Sequence, residues 1–274
     1  MVSGIRQEWG FYRPGSPVPN DVRPGGSNRE CLEFVGWRWI MDDDPQTRRT
    51  TMLGLIFDFD GVIADSEALA NTVLAEAVST LGLPTTLDDA LTRYLGKRWQ
   101  DMIAAIEDGI GHPVPDTFPA DLTAAILVRF RTDLTEVAGA SAFIRQFASV
   151  PRCIASSSSL DRLRLCLDVL GLADTFDGNV FSADMVARGK PHPDIFLLAA
   201  DRIGVEPAHC VVIEDSASGV RAGVAAGMTV IGLCAGSHLR DGHADRLLDA
   251  GAAYAARTWE EVTAIVSRLI GGTA

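Results

Sequence analysis

Residues 55–67 read LIFDFDGVIADSE, and this stretch decides the fold. A run of apolar residues and glycine begins at Leu53 and ends at Phe57, and Asp58 and Asp60 follow it almost directly. The run does not alternate with polar residues, which is typical of a parallel strand covered by helices on both faces. Carboxylates at the end of such a strand need a cation or a raised pKa, so the stretch predicts a functional site there.

From Met52 onward, short apolar runs alternate with amphipathic helical patterns. Strands are predicted at Leu53–Phe57, Arg152–Ala155, Asn179–Phe181, Cys210–Ile213 and Thr229–Gly232, with a weaker one at Ala253–Ala255. Helices are predicted between the later strands, at Leu160–Leu170, Pro193–Ile203 and Gly219–Ala226. This order predicts the α/β class, with a doubly wound parallel sheet as a Rossmann-like core.

The long interval between the first and second strands carries helical patterns alone. Its predicted helices are Glu67–Leu81, Leu87–Leu95, Trp99–Glu107, Leu122–Asp133 and Ala140–Ala148. We therefore expect an all-helical cap over residues 67–138, inserted into a catalytic core formed by residues 52–66 and 139–274. Residues 1–51 are rich in Pro, Gly and polar residues, which predicts a disordered extension or a gene start placed too far upstream.

The composition limits the partners and the compartment. The formal net charge is −12, to which residues 1–51 contribute nothing because seven Arg balance seven Asp or Glu. Such a surface repels nucleic acid and anionic membranes, so we expect neither as a partner. No apolar run approaches the ~20 residues of a membrane-spanning helix. The five cysteines show no CxxC spacing, so we expect free thiols in a cytoplasmic protein. We expect a monomer or a weak homodimer.

Polar residues cluster where the predicted strands end, which is where ligands of doubly wound sheets bind. They are Asp58 and Asp60 after the first strand, Ser156–Ser159 after the second, Lys190 after the third, and Glu214, Asp215 and Ser216 after the fourth. Acidic groups of this kind suit a hard divalent cation with oxygen ligands, most simply Mg²⁺. Lys190 is notable because only two of the 24 basic residues are lysines.

These residue types can take distinct chemical roles. With a metal present, Asp58 can remain ionised and act as a nucleophile. Asp60 can turn away from the metal and serve as general acid and base. Ser156 and the amides after it can bind oxyanions, and Lys190 can neutralise charge on the phosphate and on the nucleophile.

Four segments carry a family resemblance, and they read DFDGVIADSE, IASSSS, KPHPDIF and VIEDSASGVRAGVAAGM. In this order they resemble the four motifs of the haloacid dehalogenase superfamily. More narrowly, the chain looks like the phosphatase and β-phosphoglucomutase-like branch, which has a helical cap inserted after the first motif. The resemblance covers essentially all of residues 52–260.

The resemblance implies a reaction through an aspartyl-phosphate. Asp58 would attack phosphorus, and Asp60 would protonate the leaving oxygen and then activate water. Mg²⁺ would be held by Asp58, the backbone carbonyl of Asp60, Asp215 and Glu214. Ser156 and Lys190 would bind the phosphoryl group, and Gly61 would allow the tight turn beyond the nucleophile.

The cap is expected to select the substrate, a small phosphorylated metabolite. The segment YLGKRWQDM falls where related caps have their specificity loop, which makes Lys97, Arg98 and Trp99 candidates for substrate binding. Further candidates are Glu67, which otherwise caps the first cap helix, and Ser157 and Ser158, which otherwise only form a loop. The chain is similar to sugar-phosphate phosphatases, including 6-phosphogluconate phosphatase-like proteins. His112, His209, His238 and His243 share no spacing and are predicted to be structural.

Other functions remain open at this point. A β-phosphoglucomutase-like mutase is the first alternative, but mutases of this branch carry a histidine where this chain has Ala70, which favours hydrolysis. A receiver-type signalling domain has a phosphorylatable Asp and an acidic pair in the reverse order, without a cap. A catalytically silent protein that binds a phosphorylated ligand is a third alternative.

Overall fold

The computed structural model describes residues 53–176 and 178–271, so the predicted extension over residues 1–51 lies outside the described part. The strands are β1 (Gly54–Phe57), β2 (Arg152–Ser156), β3 (Val180–Ser182), β4 (Cys210–Glu214), β5 (Thr229–Leu233) and β6 (Tyr254–Ala256). The α-helices are α1 (Ser66–Thr80), α2 (Leu87–Arg93), α3 (Trp99–Ile110), α4 (Phe118–Asp133), α5 (Ala140–Gln146), α6 (Leu160–Val169), α7 (Asp194–Ile203), α8 (Ala217–Ala225), α9 (His243–Asp249) and α10 (Trp259–Gly271). Short 3₁₀ turns occupy Ala183–Met185 and Pro207–His209.

The six strands form one parallel sheet in the order β3-β2-β1-β4-β5-β6. The prediction of a doubly wound parallel sheet is therefore confirmed. The strand order reverses between β1 and β4, where Phe57 lies opposite Ile213. In sheets of this kind, the crevice at the carboxyl ends of the two strands that flank the reversal is the usual ligand site. The fold thus singles out the residues that follow β1 and β4.

Both faces of the sheet are buried, as the uniformly apolar strands predict. All four residues of β1 are buried. On one face, the ring of Phe57 lies 6.0 Å from the rings of Phe143 and Phe176 and 6.1 Å from that of Trp259. On the other face, Ile56 packs with apolar residues of α7 and α8. A strand buried on both sides holds its carboxyl end in a fixed position.

The helices after β1 have a separate apolar cluster, whose buried members all lie between Val73 and Leu122. The end of α4 packs differently, because Phe130 belongs to the cluster that covers the sheet. Two connecting segments run side by side, and the amide of Val137 donates to the carbonyl of Ile63 at 2.8 Å. The separate cluster supports our proposal that residues 67–138 form a cap. No helix of the described residues is both long and apolar enough to span a membrane.

Candidate active site

Three carboxylates meet at the point where the strand order reverses. Asp58 directly follows β1, Glu214 ends β4, and Asp215 comes next in the chain. Oxygen atoms of the three groups all lie within 4.8 Å of one another, and all three residues are buried. Asp58, Glu214 and Asp215, which the sequence analysis singled out at strand ends, therefore lie together in the fold.

Lys190 is the cation inside this group. Its ammonium donates to Asp58 Oδ1 at 2.8 Å, to Glu214 Oε1 at 2.7 Å and to the carbonyl of Ala155 at 3.0 Å. Its side chain is only 4% exposed. Burial by itself would lower the pKa of Lys190, but Asp58 and Glu214 outweigh burial and raise that pKa. The ammonium is therefore permanently charged at neutral pH.

One ammonium does not balance three carboxylates. Burial raises the pKa of Asp58 well above its ordinary value, although the charge of Lys190 opposes the rise. Burial, followed by the charge of Glu214, likewise raises the pKa of Asp215. A buried site with this excess of negative charge favours either protonation or the binding of a cation.

Two glycines let the carboxylates approach one another. Gly61 has a φ of +75°, and a Cβ atom there would overlap Asp215 Oδ2. A Cβ atom at Gly219 would overlap the carboxylate of Glu214, whose Oε2 accepts from the amide and the hydroxyl of Ser216 at 2.8 and 2.9 Å. The predicted turn at Gly61 thus also makes room for an acid. A compact set of buried carboxylate oxygens, with space left by Gly61 and Gly219, fits Mg²⁺.

Asp60 occupies a different environment, and its side chain lies outside the group of three carboxylates. Its Oδ1 accepts from the Ser66 hydroxyl at 2.5 Å and from Arg162 Nη2 at 2.6 Å, and its Oδ2 accepts from the Ser158 hydroxyl at 2.5 Å. Burial would raise the pKa of Asp60, but Arg162 and the two hydroxyls reverse this and lower it. The prediction that its backbone carbonyl binds metal stays a prediction.

The serines after β2 differ in their surroundings. Ser156 is buried, and its hydroxyl accepts from the amide of Ser158 at 3.1 Å. Ser158 is half-buried, while Ser157 is exposed. Ser158 contacts Asp60, the predicted general acid and base. Ser156 directly follows Ala155, whose carbonyl accepts from Lys190.

A cavity of about 550 Å³ opens beside Asp215 and extends toward the helices that follow β1. The loop after β5 and the start of α9 supply His238, Leu239, Arg240, His243 and Arg246, and the start of α8 supplies Ser216 and Ala217. The rest of the lining comes from α1, α2 and the residues after α2, namely Glu67, Leu91, Thr92, Leu95 and Gly96. This volume is within the range of about 300–1,000 Å³ that is typical of small-molecule sites.

Of the predicted cap residues, Glu67 lines this cavity and Lys97, Arg98 and Trp99 do not. Arg98 is 84% exposed and pairs with Asp101 at 2.8 Å. Trp99 is also exposed and lines a separate groove with residues of α3. Leu95 and Gly96, which precede these residues in the chain, do line the cavity. The predicted role of Lys97, Arg98 and Trp99 in substrate binding stays a prediction.

Sequence reasoning missed three side chains at the site. His238 is buried, with Nε2 3.4 Å from Asp215 Oδ2, and His243 Nε2 lies 2.5 Å from the carbonyl oxygen of Asp215. Burial lowers the pKa of His238, which favours the neutral ring. Both histidines follow β5, so the strand-end rule applied to that strand would have found them. Arg162 lies inside α6, where no sequence signal marks it.

Comparisons with known proteins agree with this geometry. The model of the family described as haloacid dehalogenase-like hydrolase matches residues 52–227. A 6-phosphogluconate phosphatase from Escherichia coli (strain K12) is 25% identical over 67% of this chain and 83% of its own length. A fructose-1-phosphate phosphatase from the same strain is 31% identical over 65% of this chain and 94% of its own length. A haloacid dehalogenase-like protein of unknown function from Agrobacterium tumefaciens str. C58 has a solved structure with a TM-score of 0.72, 34% identity, and coverage of 80% of this chain and 99% of its own.

The excess of buried carboxylate predicts how stability depends on pH and on Mg²⁺. Because the pKa values of Asp58 and Asp215 are raised in the folded state, the folded protein binds protons that the unfolded chain has released. Without metal, the free energy of unfolding therefore falls as pH rises above the ordinary aspartate pKa of about 4. Added Mg²⁺ should stabilise the protein at pH 7.5 more than at pH 5, where protons compete for the same oxygens.

Thermal unfolding from pH 5 to 8, in EDTA and in MgCl₂, measures both effects. Asp215→Asn should flatten the pH slope in EDTA and reduce the Mg²⁺ shift, while Asp201→Asn, on the exposed face of α7, should change neither. A melting temperature that is equally insensitive to Mg²⁺ at both pH values would contradict the assignment of this group as a metal site.

Proposed function

Because the chain belongs to the haloacid dehalogenase-like hydrolases, we propose that it is a Mg²⁺-dependent phosphatase of a small phosphorylated sugar or sugar acid. Its family membership and its similarity to named phosphatases show that the chain is a phosphoric monoester hydrolase. The observation that carries the proposal is the contact of Lys190 with both Asp58 and Glu214 in the crevice between β1 and β4. This contact supplies a nucleophile with a fixed cation beside it.

In the first half of the reaction, an oxygen of Asp58 forms a bond to phosphorus and the ester P–O bond breaks. Asp60 donates a proton to the departing alcohol oxygen. The pKa of Asp60 is lowered in this structure, but the negative charge of a phosphoryl group bound nearby raises the affinity of the carboxylate for that proton. Lys190 offsets charge on the nucleophile and on the phosphoryl oxygens.

In the second half, water attacks phosphorus and the bond to Asp58 breaks. Asp60 takes a proton from this water, as microscopic reversal of its first role requires. Asp58, Glu214 and Asp215 would hold Mg²⁺, together with the carbonyl of Asp60. When bound, Mg²⁺ supplies Lewis-acid neutralisation of the phosphoryl oxygens. Ser156 ends β2 and Ser157 follows it, so their polar groups would meet the same oxygens, whereas the amide of Ser158 donates to Ser156 and its hydroxyl donates to Asp60.

The cavity supports a small polar substrate. Thr92 and Glu67 offer polar groups to the cavity, and Arg240 and Arg246 offer cations. Arg240 is paired with Asp88 at 3.2 Å, so Arg246 is the cation better placed to meet an acidic group of the substrate. The named relatives act on 6-phosphogluconate and fructose 1-phosphate, which supports a phosphorylated sugar or sugar acid as the substrate of this chain.

Replacing the nucleophile tests the reaction itself. Asp58→Asn should lower Mg²⁺-dependent phosphate release from p-nitrophenyl phosphate at least about 10³-fold, because no other group takes over the nucleophilic step. Phosphate release should be measured over a panel of phosphorylated metabolites, with MgCl₂ and with EDTA. Undiminished turnover by Asp58→Asn contradicts the mechanism, and isomerisation of a sugar phosphate without phosphate release would identify a mutase.

Arg246 tests the nature of the substrate. Arg246→Met should lower kcat/KM for 6-phosphogluconate roughly tenfold by removing a charge-assisted contact, and should change kcat/KM for a hexitol 6-phosphate much less. Arg221→Met, on the exposed face of α8, is the matched control and should leave both values unchanged. Equal effects of Arg246→Met on the two substrates would show that Arg246 does not meet the carboxylate.

A further inference from the structure

We propose that Arg162 is a positioning residue for Asp60 and that Phe130 in turn positions Arg162. The inference rests on the proposed function, because it assigns Asp60 the role of general acid and base. The general acid must present one oxygen to the leaving group at a fixed distance and angle. What holds the Asp60 carboxyl group therefore bears directly on the rate of the acid-assisted step.

Three donors from three different segments hold this carboxyl group. Ser66 at the start of α1 and Arg162 on α6 both donate to Oδ1, at 2.5 and 2.6 Å, and Ser158 in the loop after β2 donates to Oδ2 at 2.5 Å. The two serines offer single hydroxyl groups that rotate freely. Arg162 contributes one bond, from Nη2, but its guanidinium is charged and rigid, so it is the donor that can hold Oδ1 most firmly in place.

The guanidinium is itself held in place. Arg162 Cζ lies 5.0 Å from the centre of the Phe130 ring, a distance at which the face of an aromatic ring attracts a cation. Phe130 is fully buried near the end of α4, and the Arg162 side chain is 27% exposed. The chain of contacts therefore runs from the last helix of the proposed cap, through Arg162, to Asp60 beside the nucleophile.

A positioning role for Arg162 and a purely structural role predict different effects on different substrates. A lost structural support would slow every substrate to the same extent. A misplaced general acid slows only those esters whose leaving group needs a proton. Nitrophenolate departs as a stabilised anion, whereas a benzyl alkoxide requires protonation as it departs. The parameter kcat/KM contains the steps up to that departure, so it excludes the later hydrolysis of the phosphoenzyme.

The experiment compares p-nitrophenyl phosphate with benzyl phosphate in the full-length protein with MgCl₂. Arg162→Met should lower kcat/KM for benzyl phosphate roughly 10- to 100-fold and for p-nitrophenyl phosphate less than about threefold. Arg162→Lys should recover part of the loss, because it restores the cation without the rigid guanidinium that lies against Phe130. Phe130→Leu should show the same selective loss at smaller size, and little further loss when combined with Arg162→Met.

Arg164→Met is the matched control, because Arg164 lies on the same helix, is 67% exposed and only approaches Asp161 at 3.8 Å. It should leave both kcat/KM values unchanged. If Arg162→Met does not fold, Arg162→Lys decides alone: a loss confined to benzyl phosphate supports the inference. Equal losses for the two esters overturn the inference and leave the proposed phosphatase intact. If the wild type hydrolyses neither ester, both the inference and the proposed phosphatase function are overturned.

Discussion

The site depends on one electrostatic constraint, which is that three carboxylates are buried at the ends of β1 and β4 with one ammonium among them. Burying such an excess of charge destabilises a protein unless a cation or protons relieve it. The fold keeps the acids together despite their repulsion, because Asp58 extends a strand buried on both faces and Glu214 ends the neighbouring strand. Gly61 and Gly219 then provide the space that any larger residue would fill.

The same constraint separates the two aspartates of the first motif. Asp58 lies among acids, where burial raises its pKa. Asp60 is only two residues away but lies among donors, where Arg162 and two hydroxyls lower its pKa. These directions hold without metal or substrate: a cation beside Asp58 would lower its pKa and keep it ionised as the nucleophile, whereas a phosphoryl group beside Asp60 would raise its pKa toward that of a general acid. The two positions differ because Asp58 continues the line of β1, whereas the chain turns sharply at Gly61 just beyond Asp60.

Sequence patterns predicted the core of the site because strand ends are a local property. Asp58, Glu214 and Asp215 each end or directly follow an apolar run, Lys190 lies in the loop after the third strand, and a parallel sheet brings such ends to one edge. Arg162 had no such signal, since its contact with Asp60 depends on the direction of α6 relative to β1. The expectation for Lys97, Arg98 and Trp99 relied on where related caps have their specificity loop; these side chains do not line the cavity, and their role stays a prediction.

The proposed mechanism requires that Asp58 becomes phosphorylated during turnover. Acid quenching during steady-state hydrolysis of p-nitrophenyl phosphate, followed by borohydride reduction, converts an aspartyl-phosphate into homoserine, which peptide mass spectrometry can locate. We predict homoserine at position 58 and none at position 60. Homoserine at another position, or its absence from a protein that is turning over substrate, would contradict the account.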